Sequence, residues 1–362
     1  MSTIALKKVT KRFGSFVAAR DVDLTVAAGE VVCLLGPSGC GKTTTLRMIA
    51  GLERATSGDV VIAGRRVNDL KPERRNVAMV FQFYALYPAL TVRQNIAFPL
   101  SAERIDARER KRRLERVAQI LHLETILDRR PAHISEGERQ RVAVARAIVR
   151  DPNCFLFDEP LSRLDVELRQ SMRGQIKEVL SGLSKATVIV THDQLEALTM
   201  ADRIAIMREG IIEQVGSPHD VFAKPANIFV ASFIGTPQMN LIEGKLLRFE
   251  DGRAVLAVGG NETRFTVDAA ACRLNPSKVT IGIRPRAFMP ADDAAGDTLT
   301  AVAELVEPMG AEMLVHVRHE AGQELRVVVP RDRRLRIGER VHLRCDPRQT
   351  HFFDESGRAV RS

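Results

Sequence analysis

Two stretches of this chain carry residue types that can handle phosphate. The first is Gly36-Pro37-Ser38-Gly39-Cys40-Gly41-Lys42-Thr43-Thr44. Its glycines let successive backbone N–H groups turn inward as an anion nest, and a helix beginning near Lys42 adds its positive end. The Lys42 ammonium can reach the outer phosphates of a nucleotide, and the Thr43 hydroxyl can ligate Mg²⁺. Average composition gives this string by chance in roughly one chain in a hundred of this length. The second stretch is Cys154-Phe155-Leu156-Phe157-Asp158-Glu159. An apolar run ends in two carboxylates, which places Asp158 at a strand end facing the metal and Glu159 beside it as a general base for water. Alone, such a pair is as well explained by a helix cap or a solvated turn. The phosphate nest upstream tips it towards catalysis.

Such groups need a rigid support, and the patterning supplies one. Val31-Val32-Cys33-Leu34-Leu35 is a continuous apolar run ending in glycine, as in a strand buried on both faces of a parallel sheet. Residues 3–9 and 21–26 alternate as half-exposed strands do. Further strands are expected at 76–81, 154–157, 186–190 and 204–207, with helices between them, which predicts an α/β fold with a parallel sheet. From about residue 84 to 150 the texture is helical, with Leu114, Val117, Ala118 and Leu121 on one helical face. The run Arg108–Arg113 is read as the solvated side of that helix, because an acidic residue interrupts it and no aromatics interleave. After Gly235-Thr236-Pro237 short β-type runs at 278–283, 313–317, 325–329 and 340–344 predict a small all-β barrel or sandwich.

Composition sets the outer limits. A length of 362 residues suggests two domains, and 45% apolar content suffices for packed cores. The net charge of +9 fits nucleic acid, anionic lipid or nucleotide partners and does not choose among them. No apolar run approaches the roughly 20 residues that cross a bilayer, and the first residues lack the apolar core of a secretory leader. The cysteines, Cys33, Cys40, Cys154, Cys272 and Cys345, are odd in number with no Cys-x-x-Cys pair, which argues for reduced thiols and against zinc. Cys40, lying within the nest, is expected to be made reactive by the helix N-terminus.

Taken in order, the motifs resemble those of the ATP-binding-cassette (ABC) ATPases, and the likeness covers nearly the whole chain. Phe81-Gln82 followed by Tyr84-Ala85-Leu86-Tyr87-Pro88 looks like the Q-loop, Leu161-Ser162-Arg163-Leu164-Asp165 the D-loop, and Thr191-His192-Asp193 the switch-histidine loop. The resemblance implies a P-loop NTPase domain over 1–235, with a helical subdomain at about 84–150, then an oligomer-binding-like β-barrel over 236–362. It implies ATP and Mg²⁺ as cofactors. Glu159, His192 and Gln82 become the catalytic set and Thr43, Gln82 and Asp158 the metal ligands. Residues 36–44 with Asp158 become the nucleotide cradle, and Phe13 an aromatic stacked on adenine. Gln194–Arg203, Ile234–Asn240 and Ile281–Pro285 resemble carbohydrate-importer ATPases of the maltose and glycerol-phosphate type. Implied partners are a second ATPase subunit, membrane permease subunits and, indirectly, an extracytoplasmic solute-binding protein, with no nucleic acid and a peripheral place on the cytoplasmic face of the membrane. Importers of polyamine, iron or sulfate, and a regulatory module uncoupled from transport, are the alternatives. Translation-type and repair-type relatives carry a second cassette or a long coiled coil, and neither is present.

One motif departs from the family. Ile134-Ser135-Glu136-Gly137-Glu138 stands where Leu-Ser-Gly-Gly-Gln is usual. Ser135 and Gly137 are kept, and the resemblance gives these the task of meeting the γ-phosphate bound by a facing subunit. Glu136 and Glu138 bring negative charge to that place. Ser135-x-x-Glu138 is also a capping box, in which Glu138 folds back onto the helix start.

Overall fold

The computed structural model describes residues 3–360 apart from 103–104, 163, 251–252, 259–260, 267–277, 292–297, 321, 334 and 346–348. Two compact units divide the chain, Met1–Pro218 and His219–Ser362. In chain order the first unit runs through β1 (Ile4–Phe13), β2 (Phe16–Val26), β3 (Val31–Leu35), α1 (Lys42–Ala50), β4 (Ser57–Ile62), β5 (Arg65–Arg66), α2 (Pro72–Arg75), β6 (Val77–Val80), α3 (Val92–Ala97), α4 (Ala107–Ile120), α5 (Glu136–Ile148), β7 (Cys154–Asp158), α6 (Val166–Ser181), β8 (Ala186–Thr191), α7 (Gln194–Met200), β9 (Arg203–Arg208) and β10 (Ile211–Gly216). Helix α8 (Pro218–Ala223) follows at the boundary.

Among the described residues the first unit holds two sheets. One is antiparallel, β2-β1-β4-β5, and the other has the order β10-β9-β3-β8-β7-β6. In the second sheet β3, β6, β7, β8 and β9 pair in parallel. Every residue of β3, β7 and β8 is buried, because neighbours cover both edges and helices or the other sheet cover the faces. Leu34, Leu156 and Val188 share one core with Ile4, Leu6 and Ile62 of the antiparallel sheet. The pairing sets Leu35 beside Thr191 and Asp158 beside Val190, so three strands release their chains at one edge.

The antiparallel sheet extends further than alternation alone indicated. β1 reaches Phe13 and β2 begins at Phe16, with register shifts that break the two-residue period between Leu6 and Arg12. Within 84–150 the helices are α3, α4 and α5, joined by short 3-10 turns. Leu114, Val117, Ala118 and Leu121 are buried. On the outer side Glu109 bridges Arg112 at 2.6 Å and Arg113 at 2.8 Å, as a solvated helix face would. No helix among the described residues is long and apolar enough to cross a membrane.

In the second unit α9 (Ile228–Phe233) precedes the strands β11 (Asn240–Glu250), β12 (Arg253–Val258), β13 (Asn261–Thr266), β14 (Lys278–Ile283), β15 (Phe288–Ala291), β16 (Thr298–Met309), β17 (Glu312–His319), β18 (Glu324–Pro330), β19 (Arg340–Cys345) and β20 (Thr350–Phe353). They form two antiparallel sheets, β13-β12-β11-β14-β20 and β15-β19-β16-β17-β18, around a shared apolar core. Buried Asn240 ties the sheets together: its Nδ2 donates to the Ile283 carbonyl at 3.2 Å and the Arg326 carbonyl at 2.8 Å, and its Oδ1 accepts the Arg326 N–H at 2.7 Å. The unit starts ahead of Gly235 for a physical reason. Buried Arg284 donates to the Ile234 and Phe222 carbonyls, each at 2.6 Å, and Ala231 packs with Met239 and Phe353.

The phosphate-loop helix α1 is anchored at its far end by one buried cation. Arg75 is 3% exposed and donates to the carbonyls of Met48 at 2.7 Å, Ile49 at 2.9 Å and Leu70 at 3.0 Å. The last carbonyls of a helix lack partners within it, so a fixed guanidinium fork suits this place. Gly51 is required here, at φ +83° with the Arg75 guanidinium 2.5 Å from where a Cβ would stand. Arg75→Ala is expected to lower the unfolding free energy by about 2–4 kcal/mol. Urea denaturation checks this as a lower midpoint at unchanged slope.

Candidate active site

The nest is built at the exit of β3. Gly36 and Gly41 are there for space: a Cβ would lie 2.3 Å from the Met207 carbonyl oxygen at the first and 2.2 Å from that of Ala18 at the second. Gly41 is also left-handed, at φ +101°. Pro37, Ser38 and Gly39 are exposed at the tip, and Thr43 and Thr44 are half-buried on the first turn of α1. Lys42 is 6% exposed, and its ammonium donates to the Gly36 carbonyl at 2.7 Å and the Pro37 carbonyl at 2.9 Å. The loop's own carbonyls thus hold the cation where an anion would take it over.

Cys40 departs from its expected reactivity. Its thiol is 3.8 Å from Lys42 Nζ, yet burial pushes its pKa up, and the lysine charge only partly offsets that. The residue is 3% exposed.

At the exit of β7, Thr43 Oγ1 donates to Asp158 Oδ1 at 3.2 Å. Burial raises the Asp158 carboxyl, the Thr43 hydrogen bond opposing. Glu159 follows in the left-handed region at φ +47°, a conformation costing a non-glycine residue roughly 1–2 kcal/mol. It is held there from both sides, since its N–H donates to the Val190 carbonyl at 2.9 Å and its own carbonyl accepts from Ser162 Oγ at 3.1 Å. The turn aims the side chain between two other loops. Gln82 Nε2 donates to Glu159 Oε2 at 2.9 Å, and His192 Nδ1 lies 3.1 Å from Glu159 Oε1. Residues 77, 110 and 33 positions apart are joined at one carboxylate.

Phe13 ends β1 opposite Phe16 across a tight hairpin, 46% exposed, with Lys11 Nζ 4.5 Å from its ring centre. Phe16, 61% exposed on the same hairpin, is a second available ring face that motif matching passed over. Arg163 of the D-loop lies outside the described residues.

Ser135, Glu136, Gly137 and Glu138 stand outside that hydrogen-bonded cluster, at the start of α5. Ser135 is the N-cap and the capping box is complete. Glu138 Oε2 accepts from the Ser135 N–H at 2.7 Å and the Ser135 hydroxyl at 2.9 Å. The Ser135 backbone hydrogen bond leads in holding the Glu138 carboxyl below its ordinary range. Glu136 pairs with Arg139 at 3.2 Å, both about two-fifths exposed. Gly137 is buried against Leu168. Two further α5 residues, not singled out by their sequence, bind this helix to the loops around Glu159 and Gln82. Gln140 donates to the Pro160 carbonyl next to Glu159, and Arg146 donates to the Tyr84 and Ala85 carbonyls at 2.7 and 2.6 Å. For Gln140 the available signal was a polar residue on the apolar face of an amphipathic helix, in line with Val144 and Ala147.

Ser135→Ala is expected to cost about 1 kcal/mol of stability by removing the cap. Glu138→Gln keeps an amide oxygen for the Ser135 N–H and is expected to cost less. Urea unfolding of both variants measures the difference.

The chain is similar to known proteins in sequence and in fold. Residues 19–162 match the ABC transporter family model and residues 281–353 the TOBE domain. The sn-glycerol-3-phosphate import ATP-binding protein UgpC 2 of Agrobacterium fabrum is 45% identical over 98% of this chain and 93% of its own length. The lactose transport ATP-binding protein LacK of Rhizobium radiobacter is 43% identical over the full length of both chains. The sulfoquinovosyl glycerol transport ATP-binding protein SmoE of Agrobacterium fabrum is 43% identical over 98% of each chain. Among solved structures, the dimeric post-hydrolysis state of the ATP-binding cassette MJ0796, bound to ADP and Pi, superposes with a TM-score of 0.53 at 32% identity, over 59% of this chain and 98% of that one. With the phosphate nest, the Asp158–Glu159 pair and the C-terminal β unit in place, this chain belongs to the ABC transporter family as an ATP-binding import protein, an ATPase carrying a TOBE domain.

Proposed function

We propose that this chain binds ATP with Mg²⁺ in its own nest and closes on a second ATPase subunit. Hydrolysis then drives membrane permease subunits from the cytoplasmic face, importing a small polyhydroxylated or sugar-phosphate solute. The observation that carries the chemistry is the meeting of Gln82, Glu159 and His192 at one carboxylate. The solute class rests on relatives named for glycerol phosphate, lactose and sulfoquinovosyl glycerol. A solute-binding protein outside the membrane would deliver it.

The residues fit a divalent cation. Asp158 is 6% exposed, and the Thr43 hydroxyl is its hydrogen-bond partner; Arg47 and Lys42 act on this buried carboxylate only by charge at a distance, without an ion pair among the described residues. Thr43, Asp158 and Gln82 would hold Mg²⁺, which offsets charge building on the transferred phosphoryl group. Lys42 exchanges the Gly36 and Pro37 carbonyls for phosphate oxygens. Glu159 takes a proton from the attacking water as its oxygen bonds to the γ-phosphorus and the bond to ADP breaks. His192 and Gln82 hold the carboxylate in line, and His192 lies where it can meet the γ-phosphate. Phe13 offers a ring face to adenine.

The signature loop is what this chain lends to its neighbour. Glu138 already accepts the hydroxyl of Ser135, one of the donors that a facing γ-phosphate needs. A unit charge about 5 Å from a phosphate charge, at an effective dielectric near 20, costs roughly 3 kcal/mol, or about two orders of magnitude in closure. A partner subunit with an uncharged signature would therefore complete the productive site with this chain's nest, while a homodimer would turn over slowly.

Four outcomes are expected. Glu159→Gln lowers kcat by about 10²–10⁴-fold with little change in ATP affinity, and Lys42→Ala loses ATP binding itself, both read by steady-state ATPase assay and nucleotide titration. The double change Glu136→Gly/Glu138→Gln raises ATPase turnover of the purified protein alone, by up to about 100-fold. Rapid hydrolysis by the unaltered chain that the double change leaves as it was removes the case for an impaired signature. Gentle extraction should recover two multi-spanning membrane proteins with the chain, and their absence favours a module uncoupled from transport.

A further inference from the structure

A buried acid lies directly beneath the switch histidine and is not used by the chemistry above. Glu196, on the first turn of α7, is 2% exposed. Its Oε2 is 2.6 Å from Thr191 Oγ1. Thr191, 1% exposed, accepts the Asp193 N–H at 3.0 Å, so its single proton points to Glu196. The Glu196 N–H in turn donates to Asp193 Oδ1 at 3.1 Å. These bonds close a ring around His192, whose side chain leaves the turn and reaches Glu159.

The other Glu196 oxygen, Oε1, is buried without a hydrogen-bond partner. A charged carboxylate with one oxygen so placed is costly. The neighbouring guanidiniums offset this only in part, by charge and without a hydrogen bond to Oε1. Arg169 Nη1 at 3.2 Å and Arg173 Nη2 at 3.7 Å, both from α6, are engaged by Asp193 Oδ2. Although burial alone would raise it, Glu196 N–H and these two guanidiniums hold Asp193 below the usual carboxylate range, so it confronts Glu196 as an anion. From β3 the facing group is Cys33, whose thiol burial pushes well above its ordinary range. Burial likewise pushes the Glu196 carboxyl up to about 7, the Thr191 hydrogen bond opposing.

We propose that Glu196 is a positioning residue for hydrolysis: as a neutral carboxylic acid it braces the Thr191–Asp193 turn from below and keeps His192 against Glu159, and loss of its proton releases the brace. The inference rests on the ATPase function proposed above. On ionisation the carboxylate competes with Asp193 for Arg169 and Arg173, which loosens the cap of α7 and the turn together.

The sign follows from linkage. A carboxyl that keeps its proton to higher pH in the folded state destabilises that state progressively as pH rises from its ordinary value of 4.5 to about 7. Glu196→Gln is neutral throughout and removes that decline.

The test compares the full-length chain with Glu196→Gln and Glu196→Ala. The kcat of the unaltered chain should fall about 5–10-fold between about pH 6.5 and pH 9, whereas Glu196→Gln holds its neutral-pH value to within about 2-fold across the same span. Glu196→Ala should lose about 10-fold in kcat at every pH with the KM for ATP nearly constant, since nucleotide binding does not use the brace. Infrared difference spectra supply a readout independent of activity: a protonated-carboxyl band near pH 6 that vanishes by about pH 9 and is missing in Glu196→Gln. An alkaline decline identical in Glu196→Gln and the unaltered chain, or no such band, overturns the proposal. The band without any ATP hydrolysis would instead overturn the ATPase function.

Discussion

The site depends on the parallel register of three strands. β3, β7 and β8 lie side by side with Leu35 against Thr191 and Asp158 against Val190. Strands in a sheet are about 4.8 Å apart, so the chain segments that leave them are fixed as neighbours before any side chain is considered. In open α/β sheets the crevice beyond the strand ends is where ligands bind. The phosphate nest, the Asp158–Glu159 pair and the His192 turn each begin within a residue of such an end. Burial of every position in these strands makes the register costly to slip. Arg75 fixes the opposite end of α1, so the nest is held from two sides.

Helix α5 carries the dependence outward. It opens on the signature residues, grips the carbonyl beside Glu159 through Gln140, and grips the Q-loop backbone through Arg146. Tyr84 and Ala85 both have positive φ where Arg146 holds them. The helix that opens on the signature residues is therefore hydrogen-bonded to the loops that carry Glu159 and Gln82. A change in either has a short path to the other, through backbone carbonyls and not through flexible side-chain contacts alone.

The same helix start shows how one side chain can serve stability while, on the proposed function, it opposes closure. Glu at the third position of the helix completes a capping box that is worth having in isolation. Its carboxylate also accepts the Ser135 hydroxyl, which the proposed function assigns to a facing phosphate. Glu136 is milder, since Arg139 draws it along the helix surface.

Much of this was legible in the residues. The order of the motifs, the buried β3 run, the face of α4 and the Ser135-x-x-Glu138 box follow from local chemistry and from spacing along the chain, and the fold confirms each of them locally. Strand lengths in β1 and β2 escaped because bulges disturb alternation. What only the tertiary structure decided are the consequences of burial and of distant pairing. Cys40 sits at a helix start, as its sequence says, but desolvation outweighs that dipole and the nearby lysine. Glu159, Gln82 and His192 were each named by motif, yet their joining at one carboxylate needs the parallel register. Glu196 looks in sequence like any helix-start glutamate. Its place under Thr191, with one oxygen unpartnered, arises because α7 packs across β3 and β8, and a string of residues does not say which of its polar groups the fold will take away from water.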